Sequence, residues 1–326
     1  MINLDDPELR YLIDYANLKQ GLIKYQKNFL NPSELIYFFR HEYYGIPLVL
    51  PLGIKYFVYN KKNTFKIDKN LILRNIFNTN KKNYIGLKIF FRFGDKFSHD
   101  VKLKKKYLSQ FNFVINENKK LISKISLKKK NFFVCSFQTR NIPHLGHETI
   151  IKKMIKKKSV VFINPLIGLK KKGDYRNDIL KRVFKKLENY KSYKKKVFYG
   201  PVLANMHYGG PREAMHHINL REKLGFNQFT IGRDHAGAQN LYPPLAAHKL
   251  VKKNKKFFKI NILSHKGSYF CLKCNKAIIL GECKHKSLVE ISGSEFRNSI
   301  IKKKQFKYAR YDLQNYIKNI RGKIFY

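Results

Sequence analysis

Tryptophan is absent from this 326-residue chain, and acidic residues are scarce: 21 Asp and Glu stand against 68 Lys and Arg. Cysteine is limited to four positions, Cys135, Cys271, Cys274 and Cys283. The last three are clustered near the C-terminus, which in a cytosolic protein suggests a metal more than a disulfide. No apolar run approaches the ~20 residues that a membrane-spanning helix needs. The first residues, Met-Ile-Asn-Leu-Asp-Asp, lack the basic and apolar regions of a secretory signal. No internal repeat is visible. These absences predict a soluble, cytoplasmic protein. Its 44% apolar content is ordinary for a globular fold, and its length suits two or three folding units.

Arginine is the scarce base: only 13 of the 68 basic residues are Arg. The formal net charge of +47 would by itself suggest a nucleic-acid partner, because a basic surface gains affinity by releasing counterions from phosphate backbones. The lysines, however, come in undifferentiated runs such as Lys104–Lys106, Lys128–Lys130, Lys156–Lys158 and Lys194–Lys196. Lys, Asn, Ile, Phe and Tyr have codons made largely of A and T, so compositional drift accounts for the excess and no nucleic-acid partner is expected. Arginine is the base suited to bidentate recognition of oxyanions. Arg140, Arg212, Arg233 and Arg297 fall inside distinctive motifs, a placement that favours a small anionic substrate.

Residues 1 to about 125 read as a separate mixed unit, with helical spacing at Leu9, Leu12, Ile13, Tyr15 and Ala16 and short apolar segments at 46–50 and 85–91. From about residue 130 strands and helices alternate. The strands are expected at 132–137, 160–163, 197–199 and 226–231. Helices are expected from His147, from Arg176 to Tyr190, and from Pro211 to Leu224, the last closed by Gly225. Such alternation implies a parallel sheet with ligands bound beyond the C-terminal ends of its strands.

The most informative segment, Gln138-Thr-Arg-Asn-Ile-Pro-His-Leu-Gly-His-Glu148, lies where the first strand feeds a helix. Free backbone N–H groups and the positive helix end gather there and bind phosphate. Pro143 fits a helix start, Gly146 would let a nucleotide lie against the backbone, and His144 and His147 can donate to a polyphosphate. A second anion loop, Gly232-Arg-Asp-His-Ala-Gly237, follows the last strand. Gly210-Pro-Arg-Glu-Ala214 opens a helix. Ile291-Ser-Gly-Ser-Glu-Phe-Arg297 could close over a polyphosphate or, through Ser294, cap a helix. Cys271, Cys274, Cys283 and His285 have the spacing of a structural zinc site, with His265 as the alternative fourth ligand.

These motifs, in this order and together with Asn164-Pro-Leu-Ile-Gly168 and Gly173-Asp174, resemble those of single-chain ATP sulfurylases (sulfate adenylyltransferases) of bacteria and archaea over about 135–300. The resemblance implies a PUA-like N-terminal domain (1–125), a Rossmann-like nucleotidyltransferase α/β domain with a histidine-pair motif (126–260), and a small zinc-bearing C-terminal part (261–326). It implies that MgATP and sulfate give adenosine 5′-phosphosulfate and pyrophosphate, or the reverse, in a homo-oligomer such as a dimer. Carried over by motif, Gln138, Arg140, Arg233 and Ala236 would bind sulfate. Thr139, Arg140 and Asn141 would form the catalytic loop, and His144 and His147 would stabilise the transition state. Gln138 to Asn141, His147 and Gly232, Arg233, Asp234 and His235 would hold the nucleotide. The chain departs from the family at His207 and at Gly209, where arginine and alanine are usual. No phosphate-loop motif follows the matching region, so no fused adenylylsulfate kinase is expected. The competing readings are another histidine-pair nucleotidyltransferase and a basic nucleic-acid-binding protein descended from a sulfurylase.

Overall fold

The computed structural model describes every residue except 1, 2, 4, 61, 169 and 236–238. Its centre is a five-stranded parallel sheet: β1 (Phe133–Phe137), β2 (Ser159–Ile163), β3 (Val197–Tyr199), β4 (Gln228–Ile231) and β5 (Asn261–Ser264), in the order β5-β4-β1-β2-β3. Helices α1 (Leu145–Met154), α2 (Asn177–Glu188), α3 (Pro211–Leu224) and α4 (Ala246–Lys253) connect successive strands.

Alternation along the strands decides which helix covers which face, because successive side chains point to opposite sides. Cys135, Phe137, Val161 and Ile163 pack with Ile150, Ile151 and Met154 of α1 and with Ile179, Leu180, Val183 and Phe184 of α2. Val134, Val160, Phe162 and Phe229 pack on the other face with Ala214, Met215 and Ile218 of α3 and with Ala247 and Val251 of α4. The strand order therefore reverses between β1 and β4, the switch point at which such sheets bind ligands.

The expected elements of this unit appear with small shifts. β3 and α3 have the expected bounds, and Gly225 closes α3 in the left-handed conformation at φ 94°. β1 starts at Phe133, one residue late; β4 starts at Gln228; Arg176 caps α2 instead of lying inside it. β5 was not expected, because its residues, Asn-Ile-Leu-Ser, show no strong alternation.

Before β1 lie helices at Leu9–Lys19 and Pro32–Phe39, a helix at Ile85–Phe90, and small antiparallel pairings among Leu50–Pro51, Lys96–Ser98 and Thr64–Lys66 and between Phe57–Tyr59 and Val101–Leu103. A 22-residue helix, Leu108–Lys129, leads into the sheet, with Leu121 and Ile125 in the same core as α3. After β5 come β6 (Ser268–Cys271), β7 (Lys276–Ile279) and β8 (Leu288–Glu290), an antiparallel sheet in the order β7-β6-β8, then α5 (Gly293–Ile301) and α6 (Tyr311–Lys318). Among the described residues no helix is long and apolar enough to cross a membrane.

Helix α3 is buried on nearly every side, between the sheet and the N-terminal segments. Its Arg212 is not a ligand for a small anion. It is 4% exposed and donates to the carbonyls of Phe38, His41, Gly45 and Asn75, holding the N-terminal segments against the sheet unit. Five fixed guanidinium donors suit a set of converging carbonyls as well as they suit an oxyanion, and sequence position cannot tell the two apart.

Candidate active site at the switch point of the sheet

A cavity of about 730 Å³ opens at the C-terminal ends of β1 and β4. Gln138, Thr139, Arg140 and Asn141 enter it directly after β1. Thr139 shapes this loop: its hydroxyl donates to the Asn141 carbonyl at 3.1 Å and accepts from the Asn141 N–H at 3.0 Å. Asn141 is held from the far wall by Arg297, which donates to its Oδ1 at 3.2 Å. The other guanidinium arm of Arg297 reaches the Gly173 carbonyl at 3.0 Å and the Asp174 carboxylate at 3.2 Å. Arg297 thus clamps three segments together, and its helix α5 approaches so closely that a Cβ on Gly293 would lie 2.7 Å from Asn141 Nδ2. Ser292, not Ser294, caps α5, accepting from the Glu295 N–H at 3.3 Å.

His144 and His147 both line the cavity. His144 is the cap of α1: its Nδ1 accepts from the His147 N–H at 3.3 Å, so the ring proton sits on Nε2. The two rings stack with centroids 3.7 Å apart. Burial lowers the pKa of His144 well below that of a free imidazole, and the His147 ring adds to this; burial brings His147 down to about 4. Both are neutral donors at neutral pH. Pro143 precedes the cap instead of opening the helix. Gly146 serves packing: a Cβ there would meet Ser268 Cβ at 2.7 Å, so the glycine admits β6 rather than a nucleotide.

From β4 come Gly232, Arg233, Asp234 and His235, all at the cavity wall, while Ala236 lies outside the described residues. Around Gly232 a Cβ would make only ordinary contacts, 3.7 Å from the His265 ring, so the missing side chain matters for what enters the cavity. Arg233 pairs with Glu290 of β8 at 2.5 Å. His235 Nε2 lies 3.0 Å from Nδ1 of the buried His217.

Residues 111–307 match the family model described as ATP-sulfurylase. The chain belongs to this family. It is similar to the sulfate adenylyltransferase of Ignicoccus hospitalis (36% identity over 174 residues, 53% of this chain and 45% of that protein) and to that of Pyrococcus abyssi (36% over 183 residues, 55% and 48%). With the sulfate adenylyltransferase of Aeropyrum pernix it shares 29% identity over 79% of this chain and 66% of that protein. The first two matches span about half the length of those relatives. Among solved structures, the chain resembles a hexameric APS kinase from Thiobacillus denitrificans, with TM-score 0.59 at 10% identity over 97% of this chain and 66% of that one, a likeness of fold.

Two departures from the sulfurylase pattern have local explanations. His207 is buried, with Nδ1 3.0 Å from an Arg10 guanidinium nitrogen, so the N-terminal helix supplies a cation in this place. At Gly209 a Cβ would fall 2.0 Å from Ile46 Cδ1, so the N-terminal segment occupies the space of the usual alanine.

The cavity also contains residues that the sequence did not assign to it. Lys170 is 8% exposed and reaches the Tyr175 carbonyl at 3.3 Å. Burial pulls its amine down to about 7 against the opposing influence of Asp174, and the Arg140 charge adds to the fall. His265 lines the cavity as well. It is therefore not the fourth member of the cysteine cluster: the ligand atoms of Cys271, Cys274, Cys283 and His285 all lie within 4.8 Å of one another. His285 Nδ1 is 3.5 Å from Cys271 Sγ and 3.2 Å from Cys274 Sγ. Three thiolates and an imidazole brought this close together are the donor set of a structural zinc site. The cluster anchors β6, whose Ser268 hydroxyl donates to the Gly146 carbonyl at 3.1 Å.

Proposed function

We propose that this chain transfers the adenylyl group of MgATP to sulfate, giving adenosine 5′-phosphosulfate and pyrophosphate, and catalyses the reverse reaction. The observation that carries this reading is convergence. The loops after β1 and β4, the histidine pair and the α5 segment, scattered over 160 residues (138–297), face one cavity. In the forward direction a sulfate oxygen attacks the α-phosphorus in line, forming the P–O–S bridge, and the bond to the β-phosphate oxygen breaks. Sulfate is already ionised at neutral pH and needs no general base. Catalysis then rests on positioning and charge neutralisation.

In this reading Gln138, Arg140, Arg233 and the Ala236 amide bind sulfate. Arg140 with Thr139 and Asn141 places the nucleophile, and Gly232 to His235 hold the nucleotide. His144 donates from Nε2 to the phosphates as charge develops on the departing pyrophosphate, with His147 beside it. When bound with ATP, Mg²⁺ neutralises phosphate charge. Zinc in the cluster at 271–285 is structural, with three thiolates and an imidazole and no open position. Residues 1–125 form a PUA-like unit, 126–260 the catalytic unit and 261–326 the zinc-bearing part.

The test is sulfate-dependent pyrophosphate release from MgATP, and ATP formation from adenosine phosphosulfate and pyrophosphate, by the purified chain. Arg140→Ala is expected to lower turnover by at least a hundredfold in both directions. Absence of both reactions in the wild type, with the variant unchanged in ligand binding, would sink the proposal.

A further inference from the structure

Helix α3 carries Glu213, His217 and Arg221 in one stripe at i, i+4 and i+8, and each is fully buried. Apolar side chains there would gain from burial, whereas buried ionisable groups cost free energy unless partnered. The partners show what the stripe does. Glu213 accepts from the N–H of His207 at 3.0 Å and of Gly209 at 2.9 Å, which fixes its carboxylate. Its Oε1 then lies 3.1 Å from His217 Nε2. The two atoms are not aligned for a hydrogen bond, but the carboxylate charge beside Nε2 still favours the ring proton there, which leaves Nδ1 bare. That bare nitrogen lies 3.1 Å from the amide nitrogen of Gln138 and 3.0 Å from His235 Nε2. Burial, and after it the charge of Arg221 on the same stripe, oppose a second proton on the ring.

We infer that His217 is a positioning residue for anion binding: set by Glu213 as an acceptor, it holds the Gln138 amide with its NH₂ turned inward, where the other amide proton faces only the weak acceptor Met206 Sδ at 3.9 Å and can pass to a ligand oxygen. The opposite amide orientation would put the Gln138 carbonyl against a bare ring nitrogen. The same nitrogen fixes His235, so one buried ring sets a side chain from each of the two anion loops. This inference rests on the reading of Gln138 as a sulfate ligand.

The experiment uses the full chain and two variants, His217→Leu and His217→Asn, whose carboxamide oxygen can replace the Nδ1 acceptor. KM for sulfate, KM for ATP and kcat are measured, and ¹⁵N spectra of the histidine rings report the tautomers. The Leu variant is expected to raise KM for sulfate at least tenfold and KM for ATP less than twofold, with Asn recovering most of the loss. The wild-type spectrum is expected to show His217 protonated on Nε2. Unchanged kinetics in the Leu variant, an equal rise in both KM values, or no rescue by Asn would overturn the inference. So would a proton on Nδ1. If the wild type shows no sulfate-dependent turnover, the reading of the cavity fails. The relay is then judged on the tautomer, and on whether the Gln138 amide resonance moves in His217→Asn less than in His217→Leu. If the Leu variant does not fold, the Asn variant and the wild-type spectrum decide.

Discussion

Lys170 illustrates how much a single side chain can depend on its surroundings. In the folded chain its amine titrates at about 7, against an ordinary 10.5. Between those values the unfolded chain keeps the proton and the folded chain does not, so the destabilisation is full below pH 7 and gone above 10.5. Lys170→Met is therefore expected to raise Tm at pH 7 by a few degrees, roughly 1–2 kcal/mol, and by less at pH 10. Thermal melts at the two pH values check this, and an equal gain at both would refute it. Lys170 was not legible in a sequence with 68 basic residues, since nothing in a lysine run marks the member that turns inward. Arg212 misled in the opposite direction. It stands in a family motif, yet its donors go to backbone carbonyls of the N-terminal segments. Residue type and motif membership give the donors, and only the fold gives the acceptors.

Among the elements, the antiparallel sheet β7-β6-β8 brings Ser268 and Glu290 to the cavity wall. Its cysteine spacing was legible, because close Cys pairs are a local feature, but its strands were not. That β6 would pack on the histidine-pair helix through Gly146 and Ser268 follows only from tertiary contact. On the proposal that the cluster holds zinc, loss of the metal is expected to loosen the wall of the cavity as well as the knuckle. Cys274→Ser is expected to lose about one zinc per chain. It should also speed amide exchange across residues 268–271 and lower turnover severalfold. Metal analysis combined with exchange mass spectrometry tests this, and a zinc-free chain with unchanged exchange in β6 would contradict it. By contrast, α3 was readable to its ends, with Pro211 at its start and Gly225 in the left-handed cap. Local signals marked where α3 begins and ends, but not that it would be enclosed on nearly every side.

Across the whole molecule, buried histidines govern the response to acid. Among the described residues His144, His147, His207, His216, His217, His235 and His265 all have their pKa lowered, burial being the first cause in each, and His147, His216 and His265 fall to about 4. Each is neutral when folded and takes up a proton near pH 6.5 when unfolded. Their contribution to stability is complete above pH 6.5 and is lost as pH falls toward 4. Each contributes a slope of up to about 1.4 kcal/mol per pH unit, so together they should make stability fall steeply from pH 6.5 to 5. Urea unfolding at pH 7.5, 6 and 5 measures this, and a midpoint that does not move would contradict it. The sequence by itself determined the alternation of strands and helices, the anion loops at strand ends and the cysteine cluster, because periodicity, caps and short motifs act over a few residues. The tertiary structure alone decided the strand order that puts the β1 and β4 loops in one cavity and the direction in which each arginine points. It also decided the burial that keeps these histidines neutral, since proximity across the chain and exclusion of water arise only when distant segments pack.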